Sequence, residues 1–279
     1  ARRAHFRLRR LAAHGRGRFF GRGLGARLLL GGLLSDTPIS EASIMGAAVG
    51  AAMMGTRPIV EMRFSDFALC AVDELVNQAA KARYMFGGQT RVPMVVREPV
   101  GMWRSSAAQH SQSLEAWYTH VPGLTVAVPA TPADNKGLLK TAIRTDDPVV
   151  YMEHKGLWGL EGDVPEDELL IPFGQARISR AGNDITLVSW SAAVATCETA
   201  ADNLATKNIH AEVIDLRTLW PWDVDTVCSS VEKTKRLVIV HEAVTVGGFG
   251  AEIAATVGEQ CFSCLKHPIL RLGSPRVPI

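Results

Sequence analysis

Apolar residues between positions 36 and 153 follow two patterns in turn: short runs typical of buried strands, and the three-to-four-residue spacing of amphipathic helices. The predicted elements of this part are strands at residues 58–62, 92–97, 124–128 and 148–153, and helices at residues 41–54, 69–86, 111–120 and 131–145. Because strands separated by helices form parallel β-α-β units, the pattern predicts an α/β fold.

Residues 154–172 break this alternation with several Gly and Pro and with five acidic residues between Glu161 and Glu168. We therefore place a linker between two domains there. The alternation then resumes, and its elements are strands at residues 185–190, 211–216 and 237–241, and helices at residues 193–206, 223–233 and 250–260. The sequence thus predicts two parallel-sheet α/β domains, at residues 35–153 and 173–279.

Local signals mark where two of these helices begin and end. Thr131, Pro132 and Asp134 have the order of a capping box with proline at the first helical position. Gly87 and Gly88 follow the long amphipathic helix and predict its end, because glycine is the residue most often found just beyond a helix.

Composition narrows the class of protein. The chain has 279 residues, of which 47% are hydrophobic and 21% charged, and these fractions exclude wholesale disorder. A bilayer-spanning helix needs about 20 consecutive apolar residues, and no run approaches that length, so we expect no membrane partner. Five Cys in a chain of this length favour a reducing compartment over a disulfide framework.

The net charge of +2 conceals an uneven distribution. Residues 1–34 contain nine Arg and no acidic residue, which leaves 21 basic and 28 acidic residues, a balance of −7, in the remaining 245. The main part of the chain is therefore mildly acidic, and we expect no nucleic-acid partner.

Residues 1–34 form an anomalous leader rich in Arg, Gly and Leu. An Arg-rich, acid-poor leader is typical of a mitochondrial transit peptide, although this one lacks the usual Ser. An RNA-binding arm and an unrelated or wrongly framed start fused to a real domain are the other interpretations. Seven Gly and nine like charges disfavour regular structure, so we expect this segment to lie outside the packed domain.

Four residues are candidates for chemistry on their residue type alone. Glu41 opens a helix of Ala, Gly and Met, where its carboxylate either pairs with a ligand or favours the positive end of the helix dipole. His110 lies in a loop on the carboxyl side of a strand, where α/β folds hold their active sites, but it could equally be structural. Phe64 and Phe67 fit either a core or a ligand platform.

Other motifs carry less weight. Cys261 and Cys264 form a lone C-x-x-C, which lacks the further ligands that a zinc site needs. Gly247, Gly248 and Gly250 precede a helix without matching G-x-G-x-x-G, so close packing or a turn is the better interpretation. No G-x-S-x-G occurs, which argues against an α/β-hydrolase.

Several longer segments are characteristic of one family. They are DTPISEASIMGAAVGAAMMGTRPIVEM (36–62), NQAAKARYMFGG (77–88), AAQHSQS (107–113), PGLTVAVPATPADNKGLLKTAIRTDDPVVYMEHK (122–155) and AEVIDLRTLWPWDVDTVCSSVEKTKRLVIVHEA (211–243). The chain resembles the beta subunit of the thiamine-diphosphate-dependent decarboxylase component of 2-oxo acid dehydrogenase complexes. RYMFGG and EHK are similar to the acetoin dehydrogenase branch, and VIDLRTLWPWDVDT is equally similar to the branched-chain type.

The resemblance implies a transketolase-type pyrimidine-binding domain followed by a transketolase C-terminal domain, and roles for matching positions. Glu41 falls on the glutamate that hydrogen-bonds N1′ of the cofactor's aminopyrimidine and so promotes loss of the C2 proton. Phe64 and Phe67 fall on positions that pack the aminopyrimidine ring. His110 falls on the histidine that assists acyl transfer to the lipoyl group.

The resemblance also implies a binding site for a potassium ion, which some relatives have. Met94, Ala142 and Asp147 fall near its ligands, and Thr145 stands where an Asp is often found. Two departures from the family concern the termini: the leader replaces a segment of the first domain, and the second domain is expected to be truncated at its end.

The function implied is a beta subunit of a 2-oxo acid or acetoin dehydrogenase, in an α2β2 heterotetramer, that passes its acyl group to a lipoyl-bearing acyltransferase. The alpha subunit would hold the diphosphate and its Mg²⁺, because this chain has no GDG…N motif. Two alternatives stay open: a stand-alone C-terminal half of transketolase or deoxyxylulose-phosphate synthase, and a truncated inactive subunit that only binds partners. Bacterial cytoplasm is the expected location, or the mitochondrial matrix if the leader is a transit peptide.

Overall fold

The structure is a computed structural model that describes residues 2–5, 27–30 and 33–278. Its strands are β1 (Arg2–His5), β2 (Arg27–Leu30), β3 (Leu33–Asp36), β4 (Ile59–Glu61), β5 (Val95–Val100), β6 (Thr125–Ala127), β7 (Val149–His154), β8 (Glu161–Val164), β9 (Arg177–Arg180), β10 (Ile185–Ser189), β11 (Ala211–Asp215), β12 (Thr218–Trp220), β13 (Leu237–Val244) and β14 (Leu270–Ser274). Its α-helices are α1 (Glu41–Met53), α2 (Ser65–Ala68), α3 (Ala80–Met85), α4 (Glu115–Thr119), α5 (Pro132–Arg144), α6 (Ala193–Ala205), α7 (Val224–Thr234) and α8 (Gly250–Cys261).

The first domain is built on a seven-stranded sheet of order β12-β6-β7-β5-β4-β2-β3. Its four central strands, β4 to β7, run parallel, as the alternation of strands and helices predicts. Both faces of the sheet are buried: Val96 and Val150 face the larger core, whereas Val95 and Val149 pack with α5. This two-sided burial explains why the strands are continuous apolar runs.

Helix α5 begins as its sequence signal predicts. The Thr131 hydroxyl accepts a hydrogen bond from the Asp134 backbone N–H at 3.1 Å, and Pro132 occupies the first turn. The helix then presents Leu138, Leu139 and Ala142 to the sheet. The predicted start of the helix, with Thr131 as its N-cap and proline in the first turn, is therefore confirmed.

The long predicted helix at residues 69–86 is more irregular than its pattern indicates. It begins earlier, with α2, and continues through a 3₁₀ turn at Leu69–Ala71 and a π-helical stretch at Asp73–Ala79 into α3. It ends at Gly87, whose φ is +61°, as expected. Hydrophobic period alone cannot distinguish π from α turns, so this irregularity was outside the reach of the prediction.

The second domain has a five-stranded sheet of order β14-β13-β10-β11-β9, in which only β9 runs antiparallel to its neighbour. The predicted two-domain α/β fold is confirmed. Strands β9, β12 and β14 were missed, because they are short or exposed and lack a clear apolar run. Strand β12 pairs with β6, so the second half of the chain contributes a strand to the first sheet.

Parts of the leader and of the predicted linker have strand pairing. Strands β2 and β3 form a hairpin whose first strand pairs antiparallel with β4, and β1 pairs antiparallel with β8. Residues 27–30 and 33–34 of the leader thus pair in the first sheet, which differs from the expected exclusion of the leader from the packed domain. Residues 6–26 lie outside the described residues, so for them that exclusion stays a prediction. Within the described part of the chain, no helix is long and apolar enough to cross a membrane.

Gly248 and Gly250, at the start of α8, are packed closely against β13. A Cβ on Gly248 would lie 2.5 Å from the Val244 carbonyl oxygen, and one on Gly250 would lie 2.8 Å from the His241 ring. Real Cβ atoms do not approach other atoms so closely. The interpretation of this motif as close packing is confirmed.

An acidic side chain is buried inside the larger core of the first domain. Glu98 on β5 is fully buried, and neither of its oxygens nor the buried Tyr118 hydroxyl has a hydrogen-bond partner of good geometry. Burial raises the pKa of Glu98 to about 8, an effect that the neighbouring Tyr118 hydroxyl opposes. The carboxyl is therefore protonated in the folded chain at neutral pH.

This burial predicts a stability that falls with rising pH. Between pH 4.5, where the unfolded carboxyl titrates, and about pH 8, only the folded chain keeps the Glu98 proton. The free energy of unfolding then falls by up to about 1.4 kcal/mol per pH unit from this group. Glu98→Gln removes this titration. The melting temperature of the variant minus that of wild type should therefore rise progressively between pH 5 and pH 8.

Thermal unfolding measured at several pH values provides the check. Glu166→Gln is the matched control, because Glu166 is an exposed residue of the linker. Parallel melting curves of wild type and Glu98→Gln across this pH range would contradict the assignment of a buried, protonated carboxyl.

Candidate active site

A closed loop carries the candidate histidine. It leaves β5 at Gly101 and returns at Gln112, where the Gly101 N–H donates to the Gln112 carbonyl oxygen at 3.2 Å. Gly101 has φ of +81°, and a Cβ there would lie 2.1 Å from His154 Nε2. Only glycine fits at the start of this loop, both for its backbone conformation and for the close approach of His154.

The aromatic cluster consists of Phe64, Phe67 and His110. The His110 ring contacts the Phe64 and Phe67 rings edge-on, with centroids 5.0 and 5.2 Å away, and the two Phe rings are 5.5 Å apart. All three side chains are half-buried, so the cluster is reached from solvent. The structure thus brings together three of the residues that the sequence singled out, from segments more than 40 positions apart.

Polar groups beneath the aromatic cluster tie its two segments together. Gln112 Nε2 donates to Asp66 Oδ1 at 2.8 Å, and the Ser65 hydroxyl donates to the Gln112 carbonyl oxygen at 3.3 Å. The other Asp66 oxygen, Oδ2, is buried without a hydrogen-bond partner. These contacts fix the loop against the start of α2.

Lys155 lies directly behind the aromatic cluster. Its side chain is buried, and its ammonium donates to the backbone carbonyl oxygen of His110. The same Nζ lies 4.7 Å from the centre of the Phe64 ring, which is a cation–π distance. Burial lowers the pKa of Lys155, and the negative charges of Asp66 and Glu242 oppose that shift.

The second domain also reaches the loop, through Glu242 on β13. Glu242 Oε1 accepts from the Met102 N–H at 2.6 Å, and Oε2 accepts from His154 Nε2 at 2.8 Å. The other ring nitrogen of His154, Nδ1, accepts from the Gly156 N–H at 3.0 Å, which leaves Nε2 as the donor to Glu242. Burial raises the pKa of Glu242, but these hydrogen bonds and the positive charge beside them, that of Lys155 included, hold the pKa below its usual value.

Glu41 is the first residue of α1 and is half-buried. Its carboxylate makes no hydrogen bond or ion pair with any described residue, and Ser40 supplies no side-chain cap. Helix α1 packs against the helical stretch that follows Phe67. The structure thus leaves this carboxylate available for a ligand, while no direct contact joins it to the aromatic cluster among the described residues.

The three residues suggested for potassium lie at the other end of the first sheet's strands. Met94 precedes β5, Ala142 is in the last turn of α5, and the Asp147 carboxylate is ion-paired with Arg83 at 2.5 Å. Arg83 already neutralises the one charged member of this set. Potassium at these residues stays a prediction.

The residues present fit one half of a thiamine diphosphate site. A carboxylate without a protein partner and a half-buried aromatic cluster are the groups that an aminopyrimidine ring requires: one acceptor at a ring nitrogen and apolar faces. In the described part of the chain, no cluster of three or more His, Cys, Asp or Glu could hold a metal. The diphosphate half and its Mg²⁺ therefore have no ligand cluster in these residues.

Comparison with known proteins defines the class to which this arrangement belongs. Residues 10–159 match the family model of the transketolase pyrimidine-binding domain, and residues 174–279 match that of the transketolase C-terminal domain. A solved structure described as a split gene transketolase, inactive beta4 tetramer, has a similar fold, with a TM-score of 0.73. It is 23% identical, over 87% of this chain and 75% of that one, and it supports the fold alone.

Curated relatives narrow the class to a family. The acetoin:2,6-dichlorophenolindophenol oxidoreductase subunit beta of Cupriavidus necator is 50% identical over 89% of this chain and 74% of its own length. The pyruvate dehydrogenase E1 component subunit beta of Rhizobium meliloti is 48% identical, over 88% and 53% respectively. The 2-oxoisovalerate dehydrogenase subunit beta of Bacillus subtilis is 42% identical, over 87% and 75%.

The chain belongs to the transketolase-like family of beta subunits of thiamine-diphosphate-dependent 2-oxo acid and acetoin dehydrogenases. The family resemblance drawn from the sequence is confirmed.

Proposed function

We propose that this chain supplies the aminopyrimidine half of the active site of a 2-oxo acid or acetoin dehydrogenase. The observation that carries the proposal is the convergence of Phe64, Phe67 and His110 on one half-buried cluster. Family membership alone would not require these three rings to meet.

The chemistry divides between the cofactor and this chain's side chains. Thiamine diphosphate, when bound, supplies the carbon nucleophile and electron sink for the substrate carbonyl. Glu41 holds a hydrogen bond at N1′ of the aminopyrimidine, and Phe64 and Phe67 cover that ring and exclude water. His110, whose imidazole can both donate and accept a proton, exchanges a proton with the reacting group at the mouth of the site.

The other half of the site belongs to an alpha subunit, with which this chain forms an α2β2 heterotetramer. That subunit holds the diphosphate and Mg²⁺, which accounts for the absence of a metal cluster from the described residues. The acyl group passes to a lipoyl-bearing acyltransferase. Potassium near Met94, Ala142 and Asp147 is a further, separable part of this proposal.

Two substrate types occur in the names of the relatives, acetoin and 2-oxo acids. Both require cleavage of a carbon–carbon bond next to a carbonyl, which is why one site architecture serves both. The segments RYMFGG and EHK support acetoin for this chain.

Co-expression with the cognate alpha subunit tests the proposal. The purified complex should reduce 2,6-dichlorophenolindophenol in the presence of thiamine diphosphate, Mg²⁺ and one of acetoin, pyruvate or 2-oxoisovalerate. Each subunit alone should show none of this activity. A complex that assembles and binds the cofactor but is inactive with all three substrates would contradict the proposed reaction and favour the inactive-subunit alternative.

A further inference from the structure

We propose that Lys155 is a positioning residue for His110, holding the loop that carries it. This inference rests on the proposed function, since it gives His110 its importance. The observation behind it is the hydrogen bond from a buried ammonium to the His110 backbone carbonyl, together with the contact of that ammonium with the Phe64 ring.

Packing alone does not account for a lysine at this position. The Lys155 side chain is 1% exposed, and no carboxylate within the described residues forms an ion pair with it. Burying an ammonium without an ion pair is costly, and a Met or Leu would fill a similar volume without that cost. Its partners are instead the carbonyl dipole of His110 and the face of Phe64, both belonging to the aromatic cluster.

The charges facing Lys155 come from two elements. Asp66 of α2 and Glu242 of β13 both favour its protonated form, although burial lowers the pKa of the ammonium. Asp66 is itself held by Gln112 at the end of the loop, and Glu242 by Met102 at its beginning. Lys155 is therefore within electrostatic reach of the two carboxylates that hold the ends of the loop.

Two hydrogen-bonded connections reach the loop from the end of β7. His154, the last residue of that strand, donates to Glu242, and Glu242 in turn accepts from Met102, the second residue of the loop. Lys155, the next residue along the chain, donates to the carbonyl oxygen of His110, the tenth residue of the loop. Strand β7 is buried along its whole length, so it is a rigid base. The loop is consequently fixed at two points by consecutive residues of one rigid strand end.

Loss of the Lys155 ammonium removes one of these two points. The His110 carbonyl would lose its buried donor, and Phe64 would lose the cation against its face. Because misplacement of a reacting group by about 1 Å costs on the order of 100-fold in rate, a small shift of the loop is enough to impair His110.

The test uses the assembled enzyme with three variants. Lys155→Met keeps a linear side chain without charge or donor, and Lys155→Arg restores both. Lys136→Met is the matched control, since Lys136 also donates to backbone carbonyls, among them that of Asp167 at 2.9 Å, in the linker away from the site.

We expect Lys155→Met to lower kcat on the order of 10- to 100-fold with KM changed less than about twofold, Lys155→Arg to recover most of this loss, and Lys136→Met to match wild type. Unchanged kcat in Lys155→Met, or equal losses in Lys155→Met and Lys136→Met, would overturn the proposal. Failure of Lys155→Arg to improve on Lys155→Met would also overturn it.

Amide hydrogen exchange separates this proposal from the proposed reaction. Peptides covering residues 101–112 should exchange at least tenfold faster in Lys155→Met than in wild type, and at the wild-type rate in Lys136→Met. This readout needs no turnover, so it still measures the hold of Lys155 on the loop if none of the substrates is used. Unaltered exchange in these peptides would show that Lys155 does not fix the loop.

Discussion

Glu41→Gln in the assembled enzyme is expected to slow exchange of the C2 proton of bound thiamine diphosphate by on the order of 10²- to 10⁴-fold. The structure leaves this half-buried carboxylate without a protein partner at the first turn of α1. Glutamine keeps the size of the side chain but cannot exchange a proton with N1′. Hydrogen–deuterium exchange at C2, followed by quenching and NMR, measures the effect directly.

The helix-dipole interpretation of Glu41 makes a different prediction, which a matched variant tests. Glu252 is an exposed acid in the first turn of α8, so Glu252→Gln removes a dipole interaction without touching the site. Such interactions are worth about 0.3–1 kcal/mol, and both variants should lose stability only within that range. Equal C2 exchange rates in Glu41→Gln and Glu252→Gln would contradict the cofactor role of Glu41.

His110→Ala should slow reductive acylation of a lipoyl domain more than it slows the cleavage step. The imidazole lies on an exposed loop at the edge of the aromatic cluster, where an incoming lipoyl arm would meet it first. General acid–base assistance contributes roughly 10²- to 10⁴-fold, so a loss of that order is expected with the lipoyl acceptor. Parallel assays with lipoyl domain and with 2,6-dichlorophenolindophenol separate the two half-reactions.

A second histidine provides the control for this experiment. His120 is exposed at the end of α4, and His120→Ala should leave both half-reactions at the wild-type rate. If His110→Ala reduces both assays by the same factor, its role lies in the cleavage step or in folding, and the proposed part in acyl transfer would be wrong.

The fold was largely predictable because its central strands are short apolar runs between amphipathic helices. Strands β4 to β7 are packed on both faces, and this burial requires the short apolar runs from which they were predicted. Strand β12 was not predictable in this way. It has three residues and pairs with β6 across the domain boundary, so its pairing depends on the tertiary arrangement.

The candidate site likewise has residues that the sequence could predict and residues that it could not. Phe64, Phe67 and His110 were found through family motifs, and the structure adds that their rings meet. Lys155 and Glu242 were missed, because their contacts join segments far apart in the sequence, from 45 to 140 positions. For Lys155, the available signal was a charged residue directly after a fully buried strand, since the carboxyl ends of parallel strands are where α/β folds place their sites.

C2 proton exchange also tests the central claim, that this chain supplies one half of a thiamine diphosphate site. Four samples are needed, each with cofactor and Mg²⁺: this chain alone, the alpha subunit alone, both together, and both together with Glu41→Gln in this chain. The account predicts rapid exchange only in the third sample. Rapid exchange with the alpha subunit alone, or in the fourth sample, would contradict it.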